Sequence, residues 1–179
     1  MNENLERILI DEKTLKARIA EMGAQISRDY AGEELVVIGL LKGAAYFLTE
    51  LTQHITVPVR IDFIKASSYG SGTTTSGKVD IDYDTSRNIA GKNVLLVDDV
   101  IDTGLTLKAV GELFRNRNPK SLKVAAMLDK KERRLVKVLP DDAEETARVF
   151  DLLLGDNLSG RKEYIAENGH KYMDMIDVS

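Results

Sequence analysis

Apolar residues recur along this chain in two rhythms. From Leu15 through Ile19, Met22 and Ile26 to Tyr30 they fall three or four residues apart, which puts them on one face of a helix. That spacing predicts a helix over residues 11–31, with Asp11 as its N-cap and Gly32 as its stop. Elsewhere they come as unbroken runs: Leu35-Val-Val-Ile-Gly-Leu-Leu41, Val94–Val97 and Leu122–Leu128. A short continuous run suits a strand buried on both faces. A further strand is read from Val57 to Ala66. Helices are read from about Ala44 to His54 and over residues 105–117, the latter with Leu107, Val110, Leu113 and Phe114 facing inward. Strands alternating with helices predict an α/β fold, a mostly parallel central sheet flanked by helices. No repeat, low-complexity tract or linker divides the chain, so residues 1–179 are expected to form one domain.

Composition narrows the classes. Hydrophobic residues make up 43% of the chain and charged residues 30%, as in a soluble globular domain with a real core. A net charge of −4 gives no support to a nucleic acid or an anionic membrane as partner. With no cysteine, disulfides, thiolate chemistry and Cys-based zinc sites are excluded. The N-terminus, Met-Asn-Glu-Asn-Leu-Glu-Arg, has no apolar leader region, and no apolar run is long enough to span a bilayer, so a cytoplasmic protein is expected.

The chemistry concentrates in Val94-Leu-Leu-Val-Asp-Asp-Val-Ile-Asp-Thr-Gly-Leu-Thr-Leu107. An apolar strand runs into two adjacent carboxylates, Asp98 and Asp99. A third, Asp102, then leads through a Thr-Gly-x-Thr turn into a helix. Neighbouring carboxylates repel each other and call for hydroxyl donors or a cation, which a ribose diol and Mg2+ would supply. The turn Thr103-Gly104-Leu105-Thr106 offers backbone amides and hydroxyls to a phosphate, with Gly104 allowing close approach. Asp102, taken alone, also suits a helix N-cap. The segment 67–78 holds small hydroxyl residues and three glycines, which fits either a plain surface loop or a lid over a substrate.

The 94–107 segment resembles the phosphoribosyl-pyrophosphate (PRPP) motif of type I phosphoribosyltransferases, in the form carried by hypoxanthine-guanine phosphoribosyltransferases. The resemblance implies that fold, with a small C-terminal hood over about 135–179. It also implies Mg2+-dependent transfer of a phosphoribosyl group from PRPP to hypoxanthine or guanine, releasing pyrophosphate and forming IMP or GMP. It makes Asp98 and Asp99 holders of the ribose hydroxyls and of Mg2+, and Asp102 the group that bonds purine N7 and takes its proton. Leu41-Lys42-Gly43 matches the family's pyrophosphate loop, in which the bond before the lysine is a non-proline cis peptide. Lys130 becomes the donor to the oxygen on purine C6, which would select a 6-oxopurine over a 6-aminopurine. Ser68-Tyr69 matches a pair on the family's mobile loop, favouring the lid.

Beyond Arg134 the likeness thins. The family has a Phe-Val-Val-Gly-Tyr-Gly-Leu-Asp-Tyr type segment, with an aromatic stacking on the purine, an aspartate at Mg2+ and a later arginine at pyrophosphate. This chain reads Arg148-Val-Phe-Asp-Leu-Leu-Leu-Gly-Asp-Asn-Leu-Ser-Gly-Arg161. Phe150, Asp156 and Arg161 have those types in that order at shifted spacing. The resemblance further implies a homodimer or homotetramer. Three alternatives stand beside this reading: an RNA-binding regulator on the same fold, like the pyrimidine-operon attenuation proteins; a transferase for xanthine or another base; and a PRPP-binding domain without turnover.

Overall fold

The computed structural model describes residues 10–68, 79–130 and 133–138. Helix α1, Glu12–Asp29, starts where the sequence predicts: the Asp11 carboxylate accepts a bond from the Thr14 amide at 2.7 Å, capping one of the free donors of the first turn. Ile19, Met22, Ile26 and Tyr30 are buried, and Leu15 packs at the edge of the core. Strand β1, Leu35–Leu40, is buried at every position, as its unbroken apolar run requires. The chain continues through helix α2, Ala44–Gln53, strand β2, Val59–Ser68, and strand β3, Val79–Tyr83. Strand β4, Asn93–Ile101, helix α3, Leu105–Arg115, and strand β5, Ser121–Asp129, follow. No helix of the described residues is long and apolar enough to cross a membrane.

The five strands form one sheet in the order β3-β2-β1-β4-β5, parallel except that β3 runs antiparallel to β2. The sequence reading did not include β3. Its residues Val-Asp-Ile-Asp-Tyr lie at the sheet edge, partly buried at Val79 and Asp80 and exposed from Ile81 on, and they lack the continuous apolar run that marks the inner strands.

Two features of this sheet position the site. The first is a topological switch. The chain passes from β1 to β2 in one direction along the sheet and from β4 to β5 in the other. Right-handed crossovers then put α2 and α3 on opposite faces, opening a crevice between the carboxyl ends of β1 and β4. The second is register. Leu35, Asn93 and Ser121 lie level at the amino ends. There the buried Asn93 donates to the Glu33 carboxylate and accepts a bond from the Ser121 hydroxyl at 2.8 Å. With those ends pinned level, the longer β4 outruns β1: its pairing with β1 ends at Gly39–Val97, while its pairing with β5 continues to Ile101–Asp129. Asp98 and Asp99 are therefore part of the strand, which runs four residues beyond the sequence estimate of Val94–Val97.

Candidate active site

The crevice at the carboxyl ends of β1, β4 and β5 gathers most of the residues singled out from sequence. After β1 the chain turns at Leu41-Lys42-Gly43, and the Leu41–Lys42 peptide is cis. Leu41 still bonds to β2, its amide donating to the Ile64 carbonyl at 2.8 Å. Gly43 then caps α2 with ordinary helical angles, φ −55° and ψ −44°. Its backbone needs no glycine; its surroundings do. A Cβ built on Gly43 would lie 2.4 Å from Asp99 Oδ2 and 2.6 Å from Asp99 Oδ1. The carboxylate of β4 thus rests directly against the bare backbone of the 41–43 turn.

Asp98 and Asp99 are both half-buried. The Asp99 amide donates to Asp98 Oδ1 at 3.0 Å. Burial, with the adjacent Asp99 carboxylate, pushes the Asp98 carboxyl well above the usual carboxylate range. Two carboxylates crowded at one strand end favour a ligand that brings either positive charge or hydroxyl donors. Among the described residues no group of three or more His, Asp or Glu forms a metal cage. Two carboxylates, however, match what Mg2+ uses when substrate oxygens and water complete its shell, so the donor set fits that ion.

Asp102 follows the last residue of β4. It is not the cap of α3: that position is Gly104, with φ +83°, in the left-handed region that favours glycine. The Asp102 side chain is therefore available. Arg133 Nε approaches its Oδ1 to 2.9 Å as an ion pair, yet that oxygen is buried and accepts no hydrogen bond among the described residues. Thr103, Gly104, Leu105 and Thr106 form the turn and first residues of α3. The Thr103 hydroxyl accepts a long 3.4 Å bond from the Leu105 amide. Amides of a first helical turn have no partners within the helix and remain open to an anion.

Lys130 stands at the end of β5, half-buried, and its amide donates to the Ile101 carbonyl at 2.9 Å, which sets it beside Asp102. Ser68 ends β2, its backbone paired with Val79. Tyr69, Phe150, Asp156 and Arg161 lie outside the described residues, as do most of the loop at 67–78 and of the region 135–179. Sequence reasoning assigned nothing to Arg133 and Arg134. The structure brings both to the crevice: Arg133 faces Asp102, and Arg134 pairs with Asp129. Their signal was two adjacent cations three and four residues after Lys130, just past the end of an apolar strand.

Residues 8–147 match the family model of the phosphoribosyl transferase domain. The chain is 47% identical over 133 residues to a hypoxanthine phosphoribosyltransferase of Salmonella typhimurium, covering 73% of this chain and 75% of that one. It is 38% identical over 141 residues to a hypoxanthine-guanine phosphoribosyltransferase of Streptococcus pneumoniae, covering 79% and 78%. A crystal structure of a hypoxanthine-guanine phosphoribosyltransferase from Bacillus anthracis superposes with a TM-score of 0.71 at 48% identity, covering 75% of this chain and 79% of that one.

Proposed function

The chain belongs to the phosphoribosyl transferase family, and from that premise we propose that it is a purine-salvage enzyme converting hypoxanthine and PRPP to IMP and pyrophosphate. Guanine is the second base we assign to it. The observation that carries the reading is the convergence of three strand ends: Gly43 pressed on Asp99, Asp102 clear of the helix cap, and Lys130 tied to Ile101.

Each residue then has a job that its surroundings support. The 103–106 turn takes the 5′-phosphate on backbone amides and hydroxyls. Asp98 and Asp99 accept bonds from the two ribose hydroxyls, and they are the residues that would hold Mg2+. When bound, that ion would neutralise charge on the pyrophosphate. Lys42 offers an ammonium to the departing pyrophosphate from the opposite lip of the crevice. The purine nitrogen attacks the anomeric carbon as the bond to pyrophosphate breaks, through an oxocarbenium-like state, so the work of the protein is to hold base, ribose and leaving group in line. Asp102 accepts the proton released from N7, a role that needs a carboxylate oxygen with free acceptor capacity. Its Oδ1 accepts no hydrogen bond among the described residues, with the Arg133 Nε 2.9 Å away as an ion-pair partner. Lys130 donates to the oxygen at C6. An amino group there would leave that ammonium without an acceptor, so adenine is disfavoured.

The test is a steady-state assay with PRPP and Mg2+ against hypoxanthine, guanine, xanthine, adenine and uracil, following nucleotide formation. Turnover of hypoxanthine with adenine inert is expected. Turnover of adenine at a comparable rate, or of no base at all, would overturn the reading.

A further inference from the structure

After β5 the chain folds back across the crevice. The Arg133 amide donates to the Lys130 carbonyl at 2.9 Å, closing a tight turn, and the Leu135 amide donates to the Thr103 carbonyl at 3.0 Å. Val138 ends the segment in the core. Between these anchors sits Arg134, three-quarters buried, with two contacts of different kinds. Its guanidinium pairs through Nη2 with Asp129, the residue immediately before Lys130. Its aliphatic stem lies over the phosphate turn: a Cβ on Gly104 would meet Arg134 Cδ at 2.9 Å and the Val136 carbonyl oxygen at 3.1 Å. Arg134 Nε is buried and has no hydrogen-bond partner among the described residues. A planar guanidinium that leaves one donor unpaired while another grips a carboxylate is held by its anchors, not by saturation of its own bonds.

We infer that Arg134 is a positioning residue joining the two halves of the substrate site: its stem holds the 103–106 turn in place for the phosphate, and its guanidinium, through Asp129, fixes the direction in which Lys130 meets the base. This rests on the function proposed above. Neither half is rigid alone. Lys130 is a flexible side chain on the last residue before a turn, and within the Gly104 turn the one side-chain bond among the described residues is the long one from the Leu105 amide to the Thr103 hydroxyl. One side chain touching both sets the distance between them, which the reaction needs held constant.

The two contacts separate by substitution. Arg134→Met keeps the stem and removes the guanidinium. It is expected to raise the hypoxanthine KM about tenfold, the scale of one charge-assisted bond, while PRPP KM stays within about twofold of wild type. Asp129→Asn should do the same, and the double variant should be no worse than either, because both remove one interaction. Arg134→Ala also removes the stem and should raise PRPP KM as well. Arg134→Lys should recover most of the hypoxanthine KM lost in Arg134→Met. Thermal unfolding of each variant is measured alongside. The inference is overturned if Arg134→Met leaves hypoxanthine KM unchanged, if both KM values rise together with a lowered unfolding temperature, or if Arg134→Met and Asp129→Asn are additive. Wild type that fails to turn over hypoxanthine would overturn the function and this inference together. Active wild type with an unaffected Arg134→Met would overturn the inference alone.

Discussion

Substituting Gly43 by alanine adds one methyl group at a place where the backbone already has helical angles. The φ of −55° suits alanine as well as glycine, so the change introduces no backbone strain. Losing glycine's freedom in the unfolded chain stabilises by about 0.4–1 kcal/mol, and alanine is a poorer N-cap than glycine by a similar amount. The net effect on folding is therefore small. The effect on the site is not. The new Cβ would stand 2.4 Å from Asp99 Oδ2, where ordinary contact begins at 3.4 Å, so the carboxylate must retreat by the difference of 1.0 Å. Asp99 is half-buried and can swing away, which relieves the clash at the cost of its position. A displacement of that size at a reacting centre costs on the order of 100-fold in rate, or about 2.7 kcal/mol of transition-state stabilisation. The expected result is a fall of about 100-fold in kcat/KM for PRPP, a hypoxanthine KM within about twofold of wild type, and an unfolding temperature shifted by only a few degrees. Steady-state kinetics with each substrate varied, together with a thermal melt, checks all three. Activity within about threefold of wild type would refute the argument, because the position of Asp99 would then not matter to the reaction.

Asp102→Asn keeps the shape of the side chain but cannot take a proton. It should lower kcat by about 100-fold or more while PRPP KM changes little, and an equal loss in both would mark a structural role instead. Lys130→Ala should raise the hypoxanthine KM about tenfold and spare PRPP KM; an unchanged hypoxanthine KM would remove Lys130 from the base site. Away from the site, the Arg117 guanidinium grips Asp84 across β3 and α3 and holds its carboxyl below the ordinary 3.8. A lowered carboxyl stabilises the fold above the unfolded value, and that contribution fades as pH falls below 3.8 towards the folded value. Asp84→Asn should therefore be less stable than wild type in urea at neutral pH, with the difference shrinking below pH 3.8; a gap that widens on acidification would contradict the sign.

The fold was legible in the sequence because parallel strands buried on both faces must be apolar throughout. Leu35–Leu40 carries no polar residue on either side, and helix α1 declares its inner face by spacing. The two misjudged strands fail that rule for opposite reasons. Strand β3 alternates charge with apolar residues at an exposed edge, so it lacks the unbroken apolar run by which the inner strands are read. Strand β4 was cut at Val97 because a buried strand does not carry two carboxylates. Here it carries them past the end of β1, where the sheet no longer covers them.

That same overhang explains why the site was only half legible. The acidic strand and the phosphate turn are written consecutively, and Lys130 directly follows an apolar run, so a reader of the chain finds them. What makes them a site is a set of relations between distant segments: Gly43 bare because Asp99 occupies its Cβ space, Asp102 faced by Arg133, Gly104 roofed by Arg134. None of these pairs shares a local pattern, since each joins either the turn after β1 or the segment after β5 to β4 or to the turn after it. They follow instead from sheet order. Once β1 and β4 are neighbours at the switch point, the turn after β1 must lie against the carboxylates that β4 extends beyond it. Only a residue without a side chain at position 43 lets the two approach. The glycine after Lys42 is thus a consequence of topology, and its substitution tests the architecture and the chemistry at once.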